Sequence, residues 1–347
     1  MSVSIHTGDC RDLLRSLPDQ SVHCCVTSPP YFGLRDYGAD GQIGLEQTPA
    51  EFVEQMVAVF REVRRALRDD GTLWLNLGDS YAGSRCGPDA ASPLKGSRNS
   101  QNATKVAKQR RGQINYGLPE KNLLGIPWRV AFALQADGWY LRQDIIWSKP
   151  NPMPESVRDR CTKAHEYLFL LSKGPRYYFD QESITEQLAP ASVERLSQRS
   201  LPDQVGSARV PGKTNGNMKA VSRYSFARET KSTAGEHGQK GQHRPDRDDV
   251  EYSGRRNKRS VWTVPTMPFK EAHFATFPVA LVEPCILAGC PAGGVVLDPF
   301  GGAGTTAVAA DALGRDAILF ELNPDYAGIA RRRVDNCTPG FQFGATA

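Results

Sequence analysis

The sequence of 347 residues contains no apolar run that approaches the roughly 18 residues needed to cross a bilayer. Its first residues also lack the basic and apolar parts of a secretory signal. The eight cysteines and six histidines are scattered and form no Cys-x-x-Cys pair, which argues against zinc or any other metal centre. These absences predict a soluble, cytoplasmic protein without a membrane segment or a metal.

Positive charge is concentrated in two polar segments. Residues 84–118 carry seven Lys/Arg and one acid, and residues 190–260 carry fifteen Lys/Arg and eight acids. The rest of the chain therefore carries −8, although the whole chain carries +5. Basic segments on an acidic body are typical of proteins that bind a polyanion such as nucleic acid. The alternative is a pair of solvated, flexible loops.

Strand and helix patterns alternate along the remaining chain, which predicts an α/β fold with a mostly parallel sheet. Helices are expected at 49–68, where apolar residues recur at helical spacing, and at 127–136 and 278–289. The predicted strands are 22–27, 72–77, 144–147, 166–172, 177–180, 295–298 and 317–320. The pair 166–172 and 177–180 is expected to form a hairpin at one edge of the sheet.

Two prolines stiffen the chain directly after the predicted strand 22–27. In Ser28-Pro29-Pro30-Tyr31 each proline fixes its own φ and pushes the preceding residue toward extended geometry. The Ser28 hydroxyl and a backbone carbonyl are thereby fixed beside an aromatic ring, an arrangement that suits a flat polar group. An ordinary strand-ending turn is the alternative, because Ser, Pro and Tyr are common loop residues.

A glycine-rich turn follows the predicted strand 295–298, in Asp298-Pro299-Phe300-Gly301-Gly302-Ala303-Gly304-Thr305-Thr306. Its glycines allow close approach of the backbone to a ligand, and Glu321, 23 residues after Asp298, is placed to hold ribose hydroxyls. The turn lacks the Gly-x-Gly-x-x-Gly pattern and a P-loop lysine, which favours a ligand with adenosine but no pyrophosphate. Asp9 is either a ligand contact at a strand end or the cap of the next helix.

Together these motifs resemble the amino-group DNA methyltransferases that use S-adenosylmethionine, and the resemblance covers most of the chain. Ser28-Pro29-Pro30-Tyr31 is similar to the family's catalytic tetrapeptide, and the turn from Asp298 to Thr306 is similar to its cofactor loop. The catalytic motif comes first, as in the permuted β group. The resemblance implies a Rossmann-like, seven-stranded, mostly parallel sheet with one reversed strand, the class I methyltransferase fold in circularly permuted form, with an inserted basic target-recognition region.

The resemblance also divides the chain into functional parts. Residues 1–83 and 119–189 would form the catalytic half of the methyltransferase domain, and 261–337 would form the cofactor-binding half. The segment 84–118 would be a flexible basic insertion, and 190–260 would be the target-recognition region that binds DNA. The last ten residues form a tail without an assigned role.

The site residues implied by the resemblance fall into two sets. The cofactor-binding set is Asp9, His273, Phe274, Asp298, Phe300, Gly301, Gly302, Gly304, Thr305, Thr306, Glu321 and Asn323. The set next to DNA or the target base is Lys149, Asn151, Arg110, Arg111, Arg255 and Arg256. In the first set Asp9 would reach the adenine, and the segment at His273 would support the methionine end. For Lys149 and Asn151 the alternative is ordinary loop polarity.

The implied catalytic residues are Ser28, Pro29, Pro30 and Tyr31. The lone pair of an exocyclic amino nitrogen is delocalised into the base ring, so that nitrogen is a poor nucleophile. Acceptors at the Ser28 hydroxyl and the Pro29 carbonyl would favour a pyramidal nitrogen that points at the sulfonium methyl. Catalysis would then depend on alignment and electrostatics, with the base flipped out of the duplex and stacked on Tyr31.

Cytosine N4 is the expected target, because Ser at the first motif position is typical of the family's cytosine-N4 enzymes and Asp of its adenine-N6 enzymes. Adenine N6 stays open, as does a catalytically silent DNA-binding protein on the same scaffold. Cytosine-C5 methylation is disfavoured because Cys285 lies in an apolar helix, and glutamine-modifying enzymes carry Asn at the position of Ser28. The expected partner is double-stranded DNA; a cognate restriction endonuclease stays open, as does the choice between a monomer and a homodimer.

Overall fold

The computed structural model describes residues 2–34, 39–83, 116–196, 255–267 and 277–337. The chain forms two compact units, one made of the residues up to 183 and from 259 onward, the other of residues 184–258. Within the described ranges, no helix is long and apolar enough to cross a bilayer. The same ranges contain no group of three or more His, Cys, Asp or Glu side chains that could hold a metal ion.

The described secondary structure comprises strands and helices, which alternate along much of the chain, and a short 3-10 turn at Glu182–Ile184. The strands are β1 (Val3–Thr7), β2 (Val22–Thr27), β3 (Leu67–Leu77), β4 (Tyr140–Ser148), β5 (His165–Ser172), β6 (Glu186–Gln187), β7 (Arg255–Arg256), β8 (Val261–Thr263), β9 (Val295–Asp298) and β10 (Asp316–Glu321). The helices are α1 (Cys10–Ser16), α2 (Pro49–Ala66), α3 (Ile126–Ala136), α4 (Pro190–Leu196), α5 (Val279–Gly289), α6 (Thr305–Ala312) and α7 (Pro324–Cys337).

Eight of the described strands form the sheet of the first unit, in the order β1-β10-β9-β2-β3-β5-β4-β8. Strand β5 runs antiparallel to both of its neighbours, and all other pairs are parallel. The predicted α/β fold, with a mostly parallel sheet and one reversed strand, is therefore confirmed. The sheet has eight strands and not seven because Val261–Thr263 adds an edge strand beside β4, and three residues are too short a pattern to predict. In the second unit, β6 and β7 pair antiparallel.

Helix α2 shows how the sequence pattern produces the core. Thr48 caps it by accepting a hydrogen bond from Glu51 N at 3.2 Å, and its apolar stripe, including Phe52, Met56 and Phe60, is fully buried. The helix ends at Ala66, two residues earlier than predicted, and β3 begins at once. The core therefore lies between the sheet and this amphipathic face.

The hairpin predicted for residues 166–172 and 177–180 is wrong. Strand β5 lies between β3 and β4, so neither of its edges is free for a further strand. The N–H groups of the later segment bind elsewhere: Tyr178 N donates to Asp70 O and Asp180 N to Ala288 O, both at 2.9 Å. The aromatic character of this segment reflects packing, since Phe179 stacks on Trp74 with ring centroids 6.3 Å apart.

The chain reverses its direction of winding between β9 and β2. These strands are neighbours, with Cys24 opposite Val296, yet β9 continues through α6 to β10 on one side and β2 continues through α2 to β3 on the other. Such a reversal opens a crevice at the carboxyl ends of the strands, where α/β proteins bind ligands. Both motifs singled out in the sequence lie at this edge.

We expect Gly289→Ala to lower the free energy of unfolding by about 1–3 kcal/mol, because the site is already fully packed. A Cβ at Gly289 would lie 2.5 Å from Thr72 Oγ1, 2.5 Å from Trp74 Nε1 and 3.0 Å from Cys24 Sγ. Urea titration of the purified protein measures the change. Gly174→Ala is the matched control, since the nearest atom to its added Cβ is 3.5 Å away. Equal stabilities of the two variants would contradict the packing argument.

Candidate active site

Asp298, the last residue of β9, connects the two sequence motifs. Its carboxylate is fully buried. It accepts hydrogen bonds from Thr27 Oγ1 at 2.6 Å, from Thr306 Oγ1 at 2.6 Å and from Phe300 N at 3.0 Å. Thr27 immediately precedes Ser28, and Thr306 lies in the first turn of the helix after the glycine-rich turn. One carboxylate therefore holds the proline corner and the turn together.

Burial raises the pKa of Asp298 to about 6, although the hydrogen bonds from Thr27, Thr306 and Phe300 favour its ionised form. The carboxylate points into the protein and not into the crevice. Its observed contacts are those of a residue that positions two loops, while the predicted contact with a cofactor stays a prediction.

Glu321, at the end of β10, lies beside the glycine-rich turn. One carboxylate oxygen accepts a hydrogen bond from Gly302 N at 2.7 Å, and the other accepts one from Asn323 N at 2.8 Å. Gly8 N donates to the Glu321 carbonyl at 2.9 Å, which brings the neighbouring Asp9 to the same edge. Asp9, Glu321 and the glycine-rich turn, all predicted to bind a cofactor, therefore lie together although they follow three different strands.

Asp9 caps α1, as one of its two sequence interpretations predicted. Its side chain accepts from Arg11 N at 2.8 Å and forms an ion pair with the Arg11 guanidinium at 2.5 Å. Arg11 also donates to Gly41 O at 2.8 Å, so the pair fixes the loop that follows the proline corner. Burial opposes ionisation of Asp9, but the hydrogen bonds and charge of Arg11 outweigh it and lower the pKa. A contact of Asp9 with adenine stays a prediction.

The glycine-rich turn depends on left-handed backbone that glycine adopts without strain, at Gly302 (φ 51°) and Gly304 (φ 80°). A Cβ at Gly304 would lie 2.8 Å from Ala330 Cβ, so this glycine also allows close packing of α7. A Cβ at Gly302 would meet only Phe300 O, at 3.9 Å. The turn is packed on one side and open on the other.

A hydrogen-bonded network surrounds the proline corner. Tyr31 Oη lies 2.6 Å from Glu166 Oε2 and 3.0 Å from Asn76 Oδ1. Ser28 Oγ lies 3.2 Å from Asn76 Oδ1, and Asn76 Nδ2 lies 3.3 Å from Glu166 Oε2. Lys149 forms an ion pair with the other oxygen of Glu166. Lys149 and Glu166 are 17% and 15% exposed, so this charge pair is largely shielded from water.

The Tyr31 ring packs directly on the backbone of Gly78. A Cβ at Gly78 would lie 2.4 Å from Tyr31 Cε2, which leaves no room for a side chain there. Beside the tyrosine, Pro29 is buried, and Pro30 contacts Gly44 closely enough that a Cβ there would lie 3.3 Å away. The corner is therefore held from both sides, and one ring face of Tyr31 is occupied by protein.

Several predicted site residues make other contacts or fall outside the described ranges. Asn151 accepts from Thr266 N at 2.9 Å and donates to Thr266 O at 3.1 Å, so it anchors the segment after β8. Arg255 and Arg256 form β7 of the second unit, where Arg255 donates to Thr185 and Arg256 pairs with a carboxylate of β6. The residues outside the described ranges are Arg110, Arg111, His273 and Phe274.

The sequence interpretation missed Thr27, Asn76 and Glu166. Asn76 could have been noticed as a single amide inside the apolar run 73–77, and Glu166 as a carboxylate at the start of a buried strand. Strand periodicity alone does not reveal that these side chains meet, because their contact depends on the antiparallel pairing of β5 with β3. Polar residues in buried strands are the signal that could have found them.

We expect Asp298→Asn to remove a pH dependence of stability. The folded pKa of about 6 lies above the ordinary value of 3.8, so between pH 4 and 6 the folded state holds a proton that the unfolded state loses. Stability therefore falls as pH rises through this window, by about 3 kcal/mol for this group. Urea unfolding at several pH values should show this slope in the wild-type protein and lose it in the variant. Substitution of the exposed Asp144 by Asn is the control and should keep the slope. A slope that is retained after Asp298→Asn would contradict the assignment of this pH dependence to Asp298.

Comparison with known proteins now identifies the family. Residues 22–332 match the family model described as DNA methylase, which joins N6 and N4 methyltransferases. Type II methyltransferase M.SmaI from Serratia marcescens is 42% identical over 334 residues, covering 96% of this chain and 91% of the relative. Type II methyltransferase M.Cfr9I from Citrobacter freundii is 41% identical, covering 95% and 87%.

Solved structures have the same fold. The PvuII DNA methyltransferase, described as cytosine-N4-specific, gives a TM-score of 0.56 at 17% identity, with 97% of this chain and 91% of that chain covered. TTHA0409 from Thermus thermophilus, solved with S-adenosyl-L-methionine, gives 0.53 at 22% identity, with 98% and 97% covered. The chain therefore belongs to the N6/N4 DNA methylase family, as a Type II DNA methyltransferase.

Proposed function

We propose that the chain transfers the methyl group of S-adenosylmethionine to N4 of a cytosine flipped out of duplex DNA. The observation that carries this proposal is the Thr27–Asp298 hydrogen bond of 2.6 Å, which fixes the proline corner next to the glycine-rich turn. Ser28 favours cytosine N4, since its hydroxyl stands where adenine-N6 enzymes typically carry a carboxylate. The PvuII enzyme, which has the same fold, is described as cytosine-N4-specific, but the fold itself is common to N4 and N6 enzymes, so the base assignment depends on Ser28.

The residues of the turn fit S-adenosylmethionine, which when bound supplies an electrophilic methyl group on a sulfonium. The open side of Gly302 admits a ligand close to the backbone. Each oxygen of Glu321 accepts one N–H bond and keeps acceptor capacity for a ribose hydroxyl. In this proposal, Asp9 contacts the adenine and the segment containing His273 and Phe274 contacts the methionine end. The turn needs no lysine of the P-loop type, because S-adenosylmethionine carries no phosphate.

The protein catalyses the transfer by positioning the amino group. Ser28 Oγ and the Pro29 carbonyl accept its two hydrogens, which directs the nitrogen lone pair away from the base ring and toward the methyl carbon. With S-adenosylmethionine bound, the sulfonium would supply the methyl group and leave as a thioether, and one of the two protons held by Ser28 and the Pro29 carbonyl would pass to solvent. No group of the protein is covalently modified, so the rate depends on alignment and on a fixed electrostatic environment.

The target base is held between Tyr31 and Lys149. One ring face of Tyr31 packs on Gly78, and the other is proposed to stack on the flipped base. Lys149 has three N–H donors, of which Glu166 takes one; the others suit the O2 and N3 acceptors of cytosine. DNA outside the pocket binds the basic segments, and methylation protects the site from a cognate endonuclease in the cytoplasm.

Incubation with duplex DNA and labelled S-adenosylmethionine, followed by digestion to nucleosides and mass analysis, is expected to yield N4-methylcytosine. N6-methyladenine would keep the site and mechanism but overturn the base assignment. No methylated nucleoside would overturn the proposed function and favour a DNA-binding protein on this scaffold.

Ser28→Ala is expected to lower the single-turnover rate of methylation by about 100-fold, the size typical for loss of one fixed polar contact at a reacting group. DNA binding, measured by gel shift, should be unchanged. Ser16→Ala is the matched control: Ser16 is exposed, bonds only to Leu13 O among its described contacts, and ends α1. A full rate after Ser28→Ala would show that the corner is a structural turn.

A further inference from the structure

The orientation of the buried Asn76 amide is fixed by its neighbours. Asn76 is 1% exposed. Its Nδ2 lies 3.1 Å from Tyr167 O and 3.3 Å from Glu166 Oε2, and a carbonyl and a carboxylate oxygen can only accept hydrogen bonds. The nitrogen must therefore face these groups, and Oδ1 must face Ser28 and Tyr31.

This orientation decides where the Ser28 proton lies. Ser28 Oγ has two neighbours that could accept its proton, Asn76 Oδ1 at 3.2 Å and Tyr31 Oη at 3.5 Å. Asn76 Oδ1 is the closer of the two and is an acceptor only, so the serine hydroxyl donates to it. The Tyr31 hydroxyl has a shorter contact, at 2.6 Å, with the Glu166 carboxylate and donates there. Tyr31 therefore does not compete strongly for Asn76, and the lone pairs of Ser28 Oγ remain available.

A free serine hydroxyl can act as donor or acceptor, and only the acceptor state helps an amino group. If the hydroxyl turned its proton toward the base, it would meet the amino hydrogens. An amide oxygen that accepts a hydrogen bond from this hydroxyl removes the unproductive orientation before the base arrives. Preorganisation of this kind contributes to catalysis because no rearrangement is needed during the reaction.

We propose that Asn76 is a positioning residue, which fixes Ser28 as a hydrogen-bond acceptor for the amino group of the target base. Glu166 supports it, because this carboxylate orients the Asn76 amide, holds the Tyr31 hydroxyl and pairs with Lys149. The inference rests on the proposed function, since it assigns a role in the same reaction.

A double-mutant cycle tests whether Asn76 acts through Ser28. The substrate is a duplex carrying the site that the wild-type protein methylates, mapped by sequencing. Asn76→Ala should slow single-turnover methylation by about 10-fold, the effect of one neutral hydrogen bond. The protein with both Asn76→Ala and Ser28→Ala should react at the rate of Ser28→Ala alone, because Asn76 has nothing left to orient.

A second variant addresses the case in which Asn76→Ala fails to fold. Asn76→Asp keeps the shape and the acceptor, but it places a carboxylate beside Glu166 on β5. The other titratable groups around this position are Tyr31 after β2, Lys149 after β4 and Lys163, which interacts with Glu166. Two neighbouring carboxylates hold a shared proton at higher pH than one alone, so this variant should regain activity relative to wild type as pH falls from about 8.5 to 6.5.

Two outcomes would overturn the proposal while leaving the proposed function intact. The first is additivity, in which the double variant is slower than Ser28→Ala by the full factor of Asn76→Ala. The second is a folded N76D protein that is no faster than Ser28→Ala at any pH from about 8.5 to 6.5, although it keeps an acceptor for the Ser28 hydroxyl. A wild-type protein that methylates no amino group would instead overturn the proposed function, and this inference with it.

Discussion

The fold depends at one point on a buried charge: the Asp298 carboxylate, bonded to Thr27, Thr306 and Phe300 N. Burying a carboxylate is unfavourable, and the raised pKa of Asp298 records that cost. The three donors offset much of it and in return fix two loops that come from opposite ends of the chain. The proposed mechanism requires the proline corner and the glycine-rich turn to meet with ångström precision. A rigid polar contact can provide this, whereas apolar packing has no preferred direction.

The sheet topology explains why the polar groups meet at one edge. Strands β9, β2, β3 and β4 run parallel, so their carboxyl ends lie at the same edge of the sheet. The residues at or directly after these ends are Asp298, Ser28, Gly78 and Lys149. Strand β5 is reversed, so its amino end lies at the same edge and contributes Glu166. A carboxylate thus enters the middle of the site from a strand running against the others. It accepts hydrogen bonds from Tyr31 and Asn76 and pairs with Lys149.

The sequence predicted the parts of the structure that local physics determines. Apolar periodicity located α2, and the proline corner and the glycine-rich turn were each recognised as following the end of a predicted strand. Contacts between distant segments were not predictable in this way. The aromatic residues at 177–179 are typical of a strand, but the N–H groups of this segment bond to residues of β3 and α5. Asn76 and Glu166 meet only because β5 inserts between β3 and β4. The inward orientation of Asp298 likewise depends on Thr27, 271 residues away in sequence.

The network also explains why a hydroxyl, and not a carboxylate, suits position 28 in this chain. Asn76 directs its amide oxygen at Ser28, since its nitrogen is committed to Tyr167 O and Glu166. A carboxylate at position 28 would face that oxygen, acceptor against acceptor, with the Glu166 charge directly behind it. A serine avoids both repulsions because it brings its own proton. The identity of residue 28 is therefore coupled to Asn76 and Glu166, and a change of the motif to an aspartate would require the amide to turn and lose its bond to Tyr167 O.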